Sequence, residues 1–253
     1  MGGFSGHRGN TVPSLFAGIV GGDPSLPLLT FYDDATGERT ELSGATLGNW
    51  VAKTANLLVD GCGLGPGDTA GVWLPPHWQT AAVLLGAWSA GVTVAYGEPS
   101  AAGTDVEFAS LPAVEAGVPV GPADRFVLGL TPMGMPLREV PAGWADYVVS
   151  ARQHGDHFPG APVTADTGAL VATDGSLDDH AALLARARAR AADLGITGGR
   201  VLIDADVYPY PLDWLLAPLS AGASVVLSVH TDLSKLPARA GSEQVGLTVG
   251  PTV

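Results

Sequence analysis

The sequence predicts an α/β protein, layered αβα with largely parallel sheets. Three observations carry this expectation. In the second half, short apolar runs rich in Val, Leu and Ile alternate with stretches of helical period, the pattern of βαβ units. Turns containing Gly and Pro separate these segments. Hydrophobic residues fill 46% of the 253 positions against 15% charged, a balance that builds a core and argues against disorder.

The elements follow in order. "LLTFYDD" (Leu28 to Asp34) and "ERTEL" (Glu38 to Leu42) flank an Ala-Thr-Gly turn and predict a hairpin. Ser43 is placed to cap a helix whose stripe is Leu47, Val51, Ala55 and Leu58, with Gly61 as its C-cap. "TAGVWLP" predicts a strand, His77 to Ser89 a helix and "VTVAY" a second strand. In the weakly patterned stretch beyond, "ADRFVLGL" predicts a strand and "AGWADYVVSARQH" a helix. "HFPGAPVTADTG" has linker composition, dividing the chain into an N-terminal α/β subdomain, 1–157, and a second, 158–253, with one compact unit as the alternative. The second part predicts a strand at 169–172, a helix at 177–193 and a strand at 200–204. A helix opened by Pro211, a strand at 223–229 and a short last strand in "VGLTVG" complete it.

The totals exclude several classes. A net charge of −13, with Lys53 and Lys235 the only lysines, argues against a nucleic-acid surface. Cys62 is the only cysteine, so an internal disulfide or thiolate metal cluster is ruled out, and a reducing cytoplasmic location is expected. The longest apolar stretch, Ala81 to Gly97, is short for a membrane span and divides into helix and strand, and the N-terminus has no signal-peptide core. Abundant Ala and Gly, with Arg far above Lys, suit a GC-rich bacterial genome.

The motifs are weighed one by one. "GCGLGPGD" resembles a dinucleotide fingerprint, but it follows a helix and precedes a strand, the reverse of what a pyrophosphate needs, so it reads as a turn. "QHGDH" offers His154, Asp156 and His157 with no fourth ligand nearby, and no metal is expected. No G-x-S-x-G elbow occurs. Tyr208, Tyr210 and Trp214 follow a strand's carboxyl end, where an aromatic rim can line a ligand pocket or pack a helix on the sheet. Trp73, His77 and Trp78 in "WLPPHW" raise the same choice and are read as packing residues. The segment "GALVATDGSLDDH" reads as strand, turn and helix N-terminus, where exposed N–H groups hold phosphate. Its candidate ligand residues are Thr173, Asp174, Gly175 and Ser176, with Ser176 expected to cap the helix and Asp178 and Asp179 to complement its dipole.

From Thr40 to Gly97 the chain resembles the N-terminal part of the adenylate-forming superfamily: acyl-CoA synthetases, luciferase-like enzymes and peptide-synthetase adenylation domains. "RTELSGATLGNWVAKTANLLVDGCGLGPGDTAGVWLP" is similar to the family's "TY-x-EL … A-x-x-L … G-x-x-GD-x-V-x-x-x-x-P", and "VLLGAWSAGVTVAYGEP" to its "A-x-x-x-AG-x-x-x-x-P". "LLARARARAADLGITGGRVLI" and "YPYPLDWLLAPLSAGASVVLS" resume the likeness. Within the superfamily the chain resembles a short actinobacterial family of AMP-binding-like proteins.

The departures shape the functional expectation. The family's loop of type "YTSGTTG-x-PKG" cradles ATP phosphates with N–H groups, hydroxyls and a Lys, whereas "VATDGSLDDH" has no Lys and gains Asp174, Asp178 and Asp179. The sequence given also stops before the family's "YG-x-TE" segment, ribose-binding Asp and C-terminal domain with its catalytic Lys. The resemblance therefore implies a truncated, non-catalytic homologue acting as a binding or interaction protein, with no catalytic residue to name. ATP, AMP or CoA enter as ligands only through the family. The alternative is an AMP- or acyl-binding enzyme half completed by a partner subunit. A small-molecule ligand, a homodimer or a partner protein are the expected interactions.

Overall fold

The computed structural model describes residues 10–97, 103–118, 121, 124–160, 163–171 and 175–251. Among the described residues, twelve strands form two sheets. The smaller takes β1 (Pro27–Asp33), β2 (Glu38–Ser43), β10 (Gly199–Asp204), β11 (Ala223–Val229) and β12 (Leu247–Val249), in the order β12-β10-β11-β1-β2. The larger takes β3 (Thr69–Trp73), β4 (Thr93–Tyr96), β5 (Val106–Ser110), β6 (Asp124–Leu128), β7 (Ala145–Asp146), β8 (Gly168–Val171) and β9 (Leu177–Asp179), in the order β7-β6-β5-β3-β4-β8-β9. Every pairing is parallel except the two hairpins, β1 with β2 and β8 with β9. The mixed α/β class with largely parallel sheets is as expected. Each sheet draws strands from both sides of position 157.

Helices α1 (Val12–Val20), α2 (Gly44–Asn56) and α3 (Trp78–Ala90) pack on one another, and α3 touches both β1 and β4. Twelve of the thirteen residues of α3 are buried, so this helix is apolar on all sides and belongs between layers. Gly86 is where α2 crosses it: a Cβ there would lie 2.5 Å from Thr54 Cβ, so only glycine admits the approach. Trp88 donates its indole N–H to the Ala169 carbonyl at 2.8 Å, joining α3 to β8. The first helix, not anticipated in the sequence, is opened by a capping box in which Thr11 and Ser14 satisfy each other's backbone N–H groups.

Three expectations change. The helix anticipated at 142–154 is α5 (Tyr147–Ala151): Asp146 caps it, accepting from Val149 N at 3.0 Å, while Ala145 and Asp146 extend the sheet beside β6. The helix anticipated from 177 starts three residues later as α6 (His180–Asp193). Leu177–Asp179 instead return antiparallel along β8, and the cap is Asp179, which accepts from Ala182 N at 2.7 Å; Ser176 does not cap it. Gly61 is the last residue of a π-helical turn, Leu57–Gly61, and the chain leaves the helix at Cys62. The remaining helices are α4 (Leu111–Glu115), α7 (Ala217–Ser220), preceded by a π-helical turn over Leu212–Leu216, and α8 (Leu236–Ser242).

Candidate functional site

The carboxyl end of β4 and the chain leaving β10 meet at an aromatic rim. Tyr96 closes β4, and its hydroxyl donates to the Leu74 carbonyl at 2.7 Å. Its ring meets Tyr210 edge-on at 5.8 Å. Tyr208 lies under the Arg190 guanidinium, 5.7 Å from the ring centroid. Burial raises the phenol pKa of both Tyr96 and Tyr210, so each is a neutral hydroxyl at physiological pH. Trp214 is fully buried beneath the rim, and its indole N–H is donated to the Pro209 carbonyl at 3.2 Å.

The β8–β9 hairpin brings its charges to the same rim. Asp178 pairs with Arg186 of α6, and both act electrostatically on Tyr210. Arg190 pairs with Asp213 at 2.6 Å. Gly175 and Ser176 are exposed at the hairpin, and Gly175 has φ of +81°. Thr173 and Asp174 lie outside the described residues. Of the sequence candidates, then, Tyr208 and Tyr210 form the rim and Trp214 supports it from below. Tyr96, Asp178 and Arg186 join this site without having been candidates for it. Tyr96 carried one signal, an aromatic residue closing a buried strand, but its partner is more than a hundred positions away in the chain.

The lysines are held elsewhere. Lys53 donates to the His154 carbonyl at 2.9 Å and pairs with Asp156, while Asn56 bonds the carbonyls of Gly155 and His157 at 3.0 and 2.9 Å. The "QHGDH" segment is thereby clipped to α2. Lys235 lies 3.2 Å from Asp34, in the turn after β1. An aromatic shelf whose neighbouring arginines are already paired is suited to stacking and hydrogen-bonding a ligand, not to neutralising a polyphosphate.

Two clefts lie away from this rim. One, of about 650 Å³, runs between α1, α2 and residues 156–160, with Phe16, Val20, Val51, Ala52 and Phe158 among its walls. The other, of about 510 Å³, is at the amino ends of β1, β10 and β11.

No family model matches the sequence. A TIGR03089 family protein of Mycobacterium tuberculosis is 37% identical over 253 residues, which cover 93% of this chain and 98% of that protein. The chain belongs to the TIGR03089 family. The fold of this TIGR03089 family member is that of acyl-CoA synthetases. An acyl-CoA synthetase of Brucella canis superposes with a TM-score of 0.75 at 16% identity, covering 94% of this chain and 46% of that one. The N-terminal domain of FACL13 from Mycobacterium tuberculosis gives 0.71 at 13%, covering 94% and 62%. Acetoacetyl-CoA synthetase from Streptomyces lividans gives 0.72 at 16%, covering 94% and 42%. The TIGR03089 chain thus spans about half the length of the solved synthetases it matches. The likeness, at these identities, is one of fold.

Proposed function

We propose that this chain is a non-catalytic homologue of acyl-CoA synthetase-type adenylating enzymes, a cytoplasmic protein that binds a small acyl or nucleotide-like molecule. The observation that carries the reading is the absence of a lysine for phosphate at the β8–β9 hairpin. Both lysines of the sequence are bound elsewhere, Lys53 to the segment at 154–156 and Lys235 to Asp34. Arg186, on the helix after the hairpin, has its charge matched by Asp178. Adenylation places charge on a pentavalent phosphorus, and stabilising it requires cations aimed at that charge. The neutral tyrosine rim and the apolar cleft lined by Phe16, Val51 and Phe158 support the binding part of the reading. The absence of a helix long and apolar enough to cross a membrane, among the described residues, is compatible with the location proposed.

The test is ATP–pyrophosphate exchange by the full-length protein with a panel of short, medium and aromatic carboxylic acids. No exchange above background is expected. Robust exchange with any acid overturns the proposal.

A further inference from the structure

Helices α1 and α2 leave a cleft of about 650 Å³ between them, a size typical of small-molecule sites. Each helix gives it one face. Phe16, Ala17 and Val20 of α1 line it, as do Gly48, Val51 and Ala52 of α2, in both cases at the three- and four-residue spacing that keeps side chains on one side of a helix. Phe158 supplies a further wall.

Gly48 accounts for much of the space. It lies inside α2, where glycine is a poorer helix former than any residue but proline. The backbone does not call for glycine, because φ there lies outside the left-handed region. Crowding does not call for it either: a Cβ would meet only Val20 Cγ1, at 4.0 Å, an ordinary van der Waals contact. At Gly86, by contrast, the neighbouring helix leaves no room. What a longer side chain at position 48 would do is fill the cleft. A residue that weakens its own helix and keeps a cavity open fits a cavity that is used.

The chemistry of the lining narrows the ligand. Its hydroxyls are already engaged: those of Thr11 and Ser14 bond each other at 2.7 Å, and Ser89 donates to the Leu85 carbonyl at 2.7 Å. Among the described residues the lining holds no Lys or Arg, and its one carboxylate, Asp156, is paired with Lys53. A buried ligand carboxylate would find no matching cation there, and burying an unpaired charge is costly. His157, exposed at the edge, offers an imidazole that can donate or accept one hydrogen bond. Apolar walls and a single imidazole suit an aliphatic chain that ends in an uncharged oxygen group.

We infer that the α1–α2 cleft binds the aliphatic chain of a neutral acyl ester, with the ester group toward His157. The inference rests on the reading that the protein binds an acyl-type molecule, and it assigns that molecule to the cleft instead of the tyrosine rim.

The experiment uses the full-length protein with methyl octanoate as probe, and octanoate and methyl acetate as comparators, read by calorimetry. Methyl octanoate is expected to bind at least about tenfold more tightly than octanoate, whose charge meets no cation. It should bind at least about a hundredfold more tightly than methyl acetate, which has the ester without the chain. Gly48→Leu places a side chain in the cleft and a better helix former in α2. It should weaken methyl octanoate at least about tenfold while the thermal midpoint stays the same or rises, a combination that loss of structure does not produce. Ala17→Leu, from an exposed position on α1, makes the same test should Gly48→Leu fail to fold. A crystal grown with the ω-bromo analogue of methyl octanoate should place bromine between Phe16 and Val51. No binding of methyl octanoate, equal binding of octanoate, or full affinity in the folded variants overturns the inference. Bromine at the tyrosine rim overturns it too, while leaving the acyl-binding reading in place. Robust ATP–pyrophosphate exchange would instead remove the non-catalytic reading, and the cleft measurements do not depend on it.

Discussion

Two buried histidines are neutral by construction. His77 and His180 each turn Nδ1 toward a backbone N–H, of Gln79 at 3.1 Å and of Val12 at 3.3 Å. Burial lowers their pKa to about 3 and about 4. A histidine whose folded pKa lies below its unfolded value supports the fold fully above the unfolded value of about 6.5, and that support is lost as pH falls toward the folded one. Stability should therefore drop between about pH 6.5 and pH 4, by at most about 1.4 kcal/mol per pH unit for each ring. His180→Gln, which keeps an acceptor for Val12, should flatten part of that slope in urea unfolding at pH 6.5 and pH 5. An unchanged slope in the variant would falsify the role of His180. Glu243 works at lower pH. Although desolvation opposes it, hydrogen bonds from Tyr32, Arg200 and Arg39 hold its pKa near 2. Its contribution is present above the unfolded value of about 4.3 and fades below it as pH approaches 2. Only the Gln79 partner of His77 is local: Val12 meets His180, and Arg39 meets Glu243, only through the tertiary fold.

Elements with a strong period were readable, and their boundaries depended on which residue took the cap. The hairpin at Leu28–Leu42, the helix after Ser43 and the strand at 223–229 follow from alternation, a cap and a β-branched run. At 172–180 two readings competed. Ser176, Asp178 and Asp179 are all good caps, and helix propensity does not say which one serves. Pairing with β8 decided it, by drawing Leu177–Asp179 into the sheet and leaving Asp179 to open α6. Asp179→Ala should accordingly cost about 1 kcal/mol in denaturant unfolding. Ser176→Ala should cost clearly less, and the reverse ranking would return the cap to Ser176. The rim was half legible for a related reason. Tyr208 and Tyr210 stand after a recognisable strand, while Tyr96, Asp178 and Arg186 reach it through pairings that no local window contains.

Over the whole molecule, the class of fold could be read but the order of the strands could not. Alternating elements imply parallel sheets, yet nothing local tells β1 to lie beside β11 or β4 beside β8. The two sheets are held together through α2 and α3, and their closest approach is at Gly86. Gly86→Ala should destabilise the protein by about 1–3 kcal/mol, because the new Cβ must push α2 off α3. Thermal unfolding measures this, and a neutral outcome would mean that the helices can part there without loss.

The pairing of Leu29 with Val225 also sets the order in which the protein can assemble on the ribosome. The β1–β2 hairpin is synthesised early, but its neighbour β11 and the strands beyond it emerge last. Until then β1 has only β2 beside it, and the edge that will pair with β11 is open. Such late, long-range closure makes folding slow and exposes an aggregation-prone edge. A nascent chain arrested before Ala223 should therefore be held by chaperones and open to proteases, and should become resistant only once β11 is free to insert.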